Sequence, residues 1–147
     1  MDKETAKLRS VKKDTPWGSE IRWAAMANVG GKILTILKGH KTSLKYIPSK
    51  DEVLYVMTGK IGVTHADEAV HHYTNVDATY DVLVPGEALS IPAMCIYRME
   101  ALEDSEIIEI GTRGAPNKSS VKIEDEYGRP VKPFYREIKV RKKDGQS

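Results

Sequence analysis

Apolar and polar residues alternate over short stretches along most of this chain. At positions 52–58, EVLYVMT, residues Glu52, Leu54, Val56 and Thr58 point one way and Val53, Tyr55 and Met57 the other. The segments 20–26, 32–38, 43–47, 60–65, 80–84, 88–91, 96–101, 106–110 and 134–140 have the β-branched and aromatic content of strands. Turn formers separate them: Asn28-Val29-Gly30-Gly31, Gly39-His40-Lys41, Pro48-Ser49-Lys50-Asp51 and Pro85-Gly86-Glu87. Residues 66–79 lose the alternation and form a long hairpin excursion, while 119–129 fit either a short strand or a helical turn. The pattern predicts roughly nine to eleven short strands and no amphipathic helix, hence an all-β antiparallel sandwich or barrel. Trp17, in the turn DTPWG, is expected to pack over one end of that barrel.

Composition narrows the picture without changing it. A chain of 147 residues and 16.4 kDa holds one domain with a real core, expected over residues 14–140. A charged N-terminal arm over 1–13 and a basic tail over 141–147 flank it. The net formal charge is only +2, which predicts neither nucleic acid nor membrane as a partner. One cysteine, Cys95, excludes an internal disulfide framework and suits a reducing cytoplasm. The first residues lack the apolar core of a signal peptide, so a soluble cytoplasmic protein is expected.

Four fragments occur in an order that carries a resemblance: Pro16-Trp17-Gly18; Ser43-Leu44 through Glu52 to Gly59; Val84-Pro85-Gly86-Glu87 with Ile91-Pro92-Ala93; and Glu124-Asp125-Glu126-Tyr127-Gly128-Arg129. Over residues 15–129 the chain resembles the cupin domain of type II mannose-6-phosphate isomerases, which is also the C-terminal part of bifunctional mannose-1-phosphate guanylyltransferases. The resemblance implies a cupin, a jelly-roll-like antiparallel barrel, and a divalent metal held by Gln, His, Glu and a second His. Carried over, those four positions are Lys45, Ile47, Glu52 and Tyr97, and the usual glycine of the second motif is Met94. An ammonium and an isoleucine do not ligate first-row metals, so neither a metal nor another cofactor is expected.

In place of the metal, Lys45 and Glu52 are expected to face each other across the interior, with Tyr97 beside them. Such a group either fills a vestigial pocket, the favoured reading, or supplies acid–base or carbonyl chemistry. In the second case Glu52 is the base and Lys45 or Tyr97 the electrophile. Arg129 either meets a sugar phosphate, as the resemblance implies, or ties the C-terminal segment down through Glu124 or Asp125. Lys32 adds positive charge at the pocket mouth. His65, His71 and His72, with Asp67 and Glu68, are expected to be solvated loop histidines in preference to a metal cluster, and Cys95 a packed thiol.

The function expected from these residues is a metal-free cupin binding a small anionic or carbohydrate-like molecule, a sugar phosphate first, through Lys45, Tyr97 and Arg129. The alternatives are an active sugar-phosphate isomerase, epimerase or lyase using Glu52, Lys45 and Tyr97, and an interaction domain with a filled barrel. A homodimer formed through edge strands is expected.

Overall fold

The computed structural model describes residues 4–69, 76–112, 120–132 and 138–142. Among these are twelve strands and no helix. They are β1 Val11–Thr15, β2 Gly18–Ala25, β3 Val29–Ile36, β4 Leu44–Tyr46, β5 Glu52–Thr58, β6 Ile61–Ala66, β7 Val76–Leu83, β8 Ala88–Ile91, β9 Tyr97–Ala101, β10 Ser105–Thr112, β11 Val121–Glu124 and β12 Ile138–Lys142. Two six-stranded sheets face each other, ordered β1-β2-β3-β10-β5-β8 and β11-β4-β9-β6-β7-β12. All pairings are antiparallel except β7 with β12.

The period-two pattern decides which side chains enter the space between the sheets. Ile36 and Leu34 of β3, Leu54 and Val56 of β5, Ile61 and Val63 of β6, Met99 and Ala101 of β9 and Ile107 of β10 form one buried cluster. Trp17 joins it at 7% exposure, in the position the turn sequence predicts. Each of the larger aliphatic side chains contributes about 1.5–3 kcal/mol by leaving water. A second buried cluster, Leu44, Ala66, Val76, Ile96 and Ile123, takes the opposite parity and lies on the other face of the second sheet.

Several boundaries differ from the sequence reading. The strand β1 begins at Val11, within the stretch expected to be an arm, because residues 11–15 pair with β2. The strand β12 continues through Lys142 along β7, beyond the expected end of the domain. The turn before β3 closes earlier than expected, with the Met26 amide donating to the Val29 carbonyl, and Gly30 and Gly31 are strand residues. Gly31 is needed there: a β-carbon would lie 2.8 Å from the indole of Trp23. Residues 121–124 form a strand, which settles the ambiguity of 119–129. The strand β7 begins at Val76, so it takes in the end of the expected 66–79 excursion; residues 70–75 of that excursion lie outside the described residues.

Candidate functional site

One row of inward-facing positions crosses the second sheet at one end of the barrel. Register places His65 of β6 opposite Tyr97 of β9, Tyr97 opposite Lys45 of β4, and Lys45 opposite Lys122 of β11. Cross-strand partners share a face, so these side chains are neighbours. Tyr97 is fully buried at the centre of the row. From the first sheet, Glu52 of β5 and Glu109 of β10 project into the same interior, at 3% and 7% exposure.

Glu52 stands one step diagonally from Glu109, because Glu109 pairs with Leu54 and Gly111 with Glu52. Gly111 makes room for the carboxyl: a β-carbon there would come within 3.2 Å of the Glu52 Cγ. The Tyr97 hydroxyl donates to Glu52 Oε1 at 2.8 Å. The other oxygen, Oε2, is buried and meets no donor among the described residues. A proton carried by Glu52 and shared with Glu109 resolves that orphan, since two bare carboxylates could only accept.

The electrostatics agree. Burial first, then the Glu109 charge, pushes Glu52 up to about 8, so this carboxyl is largely protonated at neutral pH. Burial alone would raise Glu109 too. The hydrogen bond from Glu52 and the ammoniums of Lys45, Lys32 and Lys50 outweigh it and hold Glu109 below the usual carboxylate range. Burial, and after it the two carboxyl groups, drives the Tyr97 phenol well above its ordinary value. The floor of the site is therefore one neutral carboxyl, one carboxylate and one neutral phenol.

The expected Lys45–Glu52 pair does not form. The hydroxyl of Tyr97 takes the place beside Glu52, and Lys45 lies over the Tyr97 ring, its Nζ 5.5 Å from the centroid. Lys45 and Tyr97 are direct cross-strand partners in one sheet, and of the two it is Tyr97, at the centre of the row, that reaches across to Glu52 on the facing sheet. Lys45 acts on Glu52 only as a weak, lowering charge.

Next to Lys45 the mouth is basic. Burial and then the charges of Arg129 and Lys45 depress the Lys122 ammonium, with Lys13 adding to the effect and Asp125 opposing it. Arg129 follows Gly128, which takes the left-handed conformation that closes this turn (φ 77°). The guanidinium donates twice to Asp125 Oδ1, at 3.1 Å from Nε and 2.7 Å from Nη2. Of the two roles expected for Arg129, the pairing with Asp125 is present. The segment itself is tied to the barrel by Tyr127, whose hydroxyl donates to the Lys41 carbonyl at 2.9 Å. Lys32 lies beside Glu109 by register and pairs with Glu20 at 3.2 Å.

His65 is not a solvated loop residue. It lies on β6 with its side chain 13% exposed, 2.6 Å from the buried carboxylate of Asp81 through Nε2. His71 and His72 lie outside the described residues. Cys95 is buried, as expected of a packed thiol.

The residue that sequence reasoning passed over is Glu109. The run EIIEI does not alternate: Glu106 and Glu109 are three positions apart, so in a strand they take opposite faces. One of them had to point inward, and that parity was the available signal. Glu106 is exposed and Glu109 buried.

The donor set does not fit the metal that the resemblance implies. Of the four ligand positions only Glu52 keeps a metal-binding type, and its raised pKa opposes the anionic form that a metal needs. No group of three His, Cys, Asp or Glu is placed to hold a metal ion among the described residues. The backbone nonetheless keeps a glycine-like conformation in the second motif. Met94, in the place of the usual glycine, adopts φ 70°, a left-handed conformation that side chains disfavour.

No family model and no curated protein matches this chain. Solved structures do match. KdgF from Halomonas sp. aligns at TM-score 0.60 and 19% identity, over 73% of this chain and 89% of that one. A mutant of Bacillus subtilis oxalate decarboxylase aligns at TM-score 0.65 and 17% identity, over 78% of this chain and 30% of the decarboxylase. The capsular polysaccharide assembling protein CapF of Staphylococcus aureus gives 0.61 and 15%, over 81% of this chain and 34% of CapF. The fold is a cupin β-barrel. At these identities the likeness extends to the fold alone. No helix among the described residues is long and apolar enough to cross a membrane.

Proposed function

We propose that this cupin binds a small anionic, hydroxyl-bearing molecule at the end of its barrel, a sugar phosphate being the favoured class, without a metal. The observation that carries this reading is the convergence of Lys45, Lys122 and Arg129. Two lysines directly opposite on neighbouring strands are unfavourable, and the Lys122 ammonium, lowered first by burial, is lowered further by Arg129 and Lys45. An anion from solution would relieve it, and ammonium and guanidinium groups suit phosphate oxygens. Beneath them Tyr97, Glu52 and Glu109, whose protons are committed to one another, would offer acceptor oxygens to hydroxyl groups. The name of CapF, a capsular polysaccharide assembling protein, lends support to a carbohydrate-related ligand.

A thermal-shift and calorimetric titration with a hexose 6-phosphate, beside the same hexose without phosphate, tests the reading. The phosphorylated sugar is expected to raise the melting temperature in a saturable way. Lys122→Met or Lys45→Met should each weaken binding about tenfold, the equivalent of one charged hydrogen bond. Equal response to the unphosphorylated hexose, or none to either, would sink it.

A second reading is favoured by a different observation, the separation of the two carboxyl pKa values. Paired carboxyls pushed apart in this way are suited to acid and base roles. In an aldose–ketose isomerisation or an epimerisation, Glu109 would accept the proton from the carbon beside the carbonyl. Glu52 or Tyr97 would donate to the carbonyl oxygen, and Lys45 would offset the charge that develops. The base is Glu109 here, not Glu52 as the sequence alone suggests, because Glu52 is the protonated member. Deuterium exchange from solvent into a bound sugar phosphate would report it, and Glu109→Gln should abolish that exchange.

The homodimer is retained as a proposal, with a changed surface. The outer face of the first sheet carries Tyr55 opposite Ile108, Ile108 opposite Ile33, and Ile33 opposite Ile21, flanked by exposed Val53, Trp23 and Ile110. An apolar band crossing four strands suits burial against a second copy. Light scattering is expected to give twice the chain mass, and Tyr55→Glu to return it to one; a wild-type monomer would remove the proposal.

A further inference from the structure

On the other side of Tyr97 from the lysines, a cavity of about 240 Å³ opens between the end of β6 and β8. It is lined by His65, Ala66 and Asp67 on one wall, and by Leu89, Ser90, Ile91, Pro92 and Cys95 on the other. We infer that this cavity is a second ligand site, which takes a small cationic molecule with an apolar body, an alkyl- or arylammonium.

Size, wall chemistry and charge each restrict the occupant. An engineered apolar cavity of about 150 Å³ is large enough for benzene, so this one holds a ring or branched chain with a short polar arm. Leu89, Ile91, Pro92 and Ala66 make up the apolar part of the lining, which would face the body. His65 is fixed between two carboxylates, with Nε2 2.6 Å from Asp81 and Nδ1 3.5 Å from Asp67. Its ring is therefore oriented, and both of its nitrogens already face partners within the protein.

Asp81 is turned inward and buried with His65, but the Asp67 carboxylate is 76% exposed at the cavity rim. Asp51 approaches from the adjoining loop, where its Oδ1 accepts from the Ala93 amide at 2.8 Å. Asp67 and Asp51 are the charged groups that act on the cavity wall at Cys95. The thiol of Cys95, in the cavity wall, reports the resulting field: burial raises it first, and Asp67 and Asp51 raise it further. An ammonium would meet Asp67 at the rim while its apolar portion lies inside. A carboxylate or phosphate would face the same negative field and is excluded on that ground. The site is distinct from the lysine mouth and does not depend on what binds there.

Amide chemical-shift titration of the full chain with benzylammonium, benzyl alcohol and benzoate provides the test. Benzylammonium is expected to move the amides of Ala66, Ile91 and Cys95 saturably, and to bind about fivefold more tightly than the alcohol. Benzoate should be the weakest of the three. Asp67→Asn, at an exposed position where folding is not at stake, should bring benzylammonium and benzyl alcohol to equal affinity. Absence of saturable shifts at those amides would overturn the inference. So would binding of the alcohol or benzoate as tight as that of the ammonium, or a preference unchanged by Asp67→Asn.

Discussion

Tyr97 divides the barrel end into two regions built from the same sheet row, and they solve the problem of buried charge in opposite ways. Toward β4 and β11, Lys45 and Lys122 stand side by side with no salt bridge among the described residues, since Asp125 is committed to Arg129. Toward β6 and β7, the buried carboxyl of Asp81 is met directly by His65 Nε2 at 2.6 Å. Burial shifts Lys122 down and Cys95 up first; beyond that, Arg129 and Lys45 lower Lys122 further, and Asp67 and Asp51 raise Cys95 further. In the first region the cations outnumber the nearby Glu109 carboxylate; in the second His65 and Asp81 meet directly, while Asp67 remains exposed at the rim. A barrel end can therefore present two fields of opposite sign within a few strands, provided that a neutral side chain stands between them. Tyr97 is that side chain, uncharged at any physiological pH because burial holds its phenol protonated.

The comparison can be broken most severely at its centre. Tyr97→Ala removes a fully buried ring from between the two regions and should cost about 3–5 kcal/mol in denaturant unfolding. Tyr97→Phe keeps the packing and should lose only the hydrogen bond to Glu52, about 1–3 kcal/mol. If the two variants were equally unstable, the hydroxyl rather than the ring would be what holds the row together.

A smaller effect should separate the two sides. Asp81→Ala removes the carboxylate that meets His65 and should destabilise by about 2–3 kcal/mol. Lys122→Met on the opposite side relieves crowding at a partly solvated position, so stability should stay within about 0.5 kcal/mol of the wild type. Equal losses measured by urea titration would mean that the lysine side is internally compensated as well.

The smallest and most diagnostic change is in pH dependence. Glu52 binds its proton more tightly folded than unfolded, so the folded state holds the extra proton between pH 4.5 and about 8. Stability from this group is therefore full below pH 4.5, falls as pH rises, and levels off above about 8. Glu109 contributes the opposite slope, but only as pH falls through its own lowered value. Melting temperatures measured from pH 5.5 to 8.5 should fall in the wild type, and Glu52→Gln should flatten that fall by a few degrees. A parallel decline in the variant would show that the proton does not reside on this pair.

How legible the molecule was in its sequence depends on the range of the interaction concerned. Alternation gave away most strands, because side-chain direction in a strand is a local property with a period of two. It placed Leu54 and Val56 inside with Glu52, and Trp17 was expected against the barrel from its turn. The strand β1 escaped because its run, VKKDT, has no buried face: its residues are held by backbone pairing with β2. Glu109 was legible in principle, since two glutamates three apart in a strand cannot share a face.

By itself, then, the sequence determined an all-β barrel, its motif turns, and the loss of a metal's donors, all of them consequences of residue type and local spacing. Only the tertiary structure decided who meets whom. The facing of the two sheets placed Tyr97 rather than Lys45 against Glu52, and strand register set Lys45 beside Lys122 and brought His65 to Asp81 across β6 and β7. These partners lie far apart in the chain, and a shift of register by one residue would have exchanged every one of them. The charge of each group follows from those neighbours, because burial and nearby ions, not residue identity, set where a proton rests.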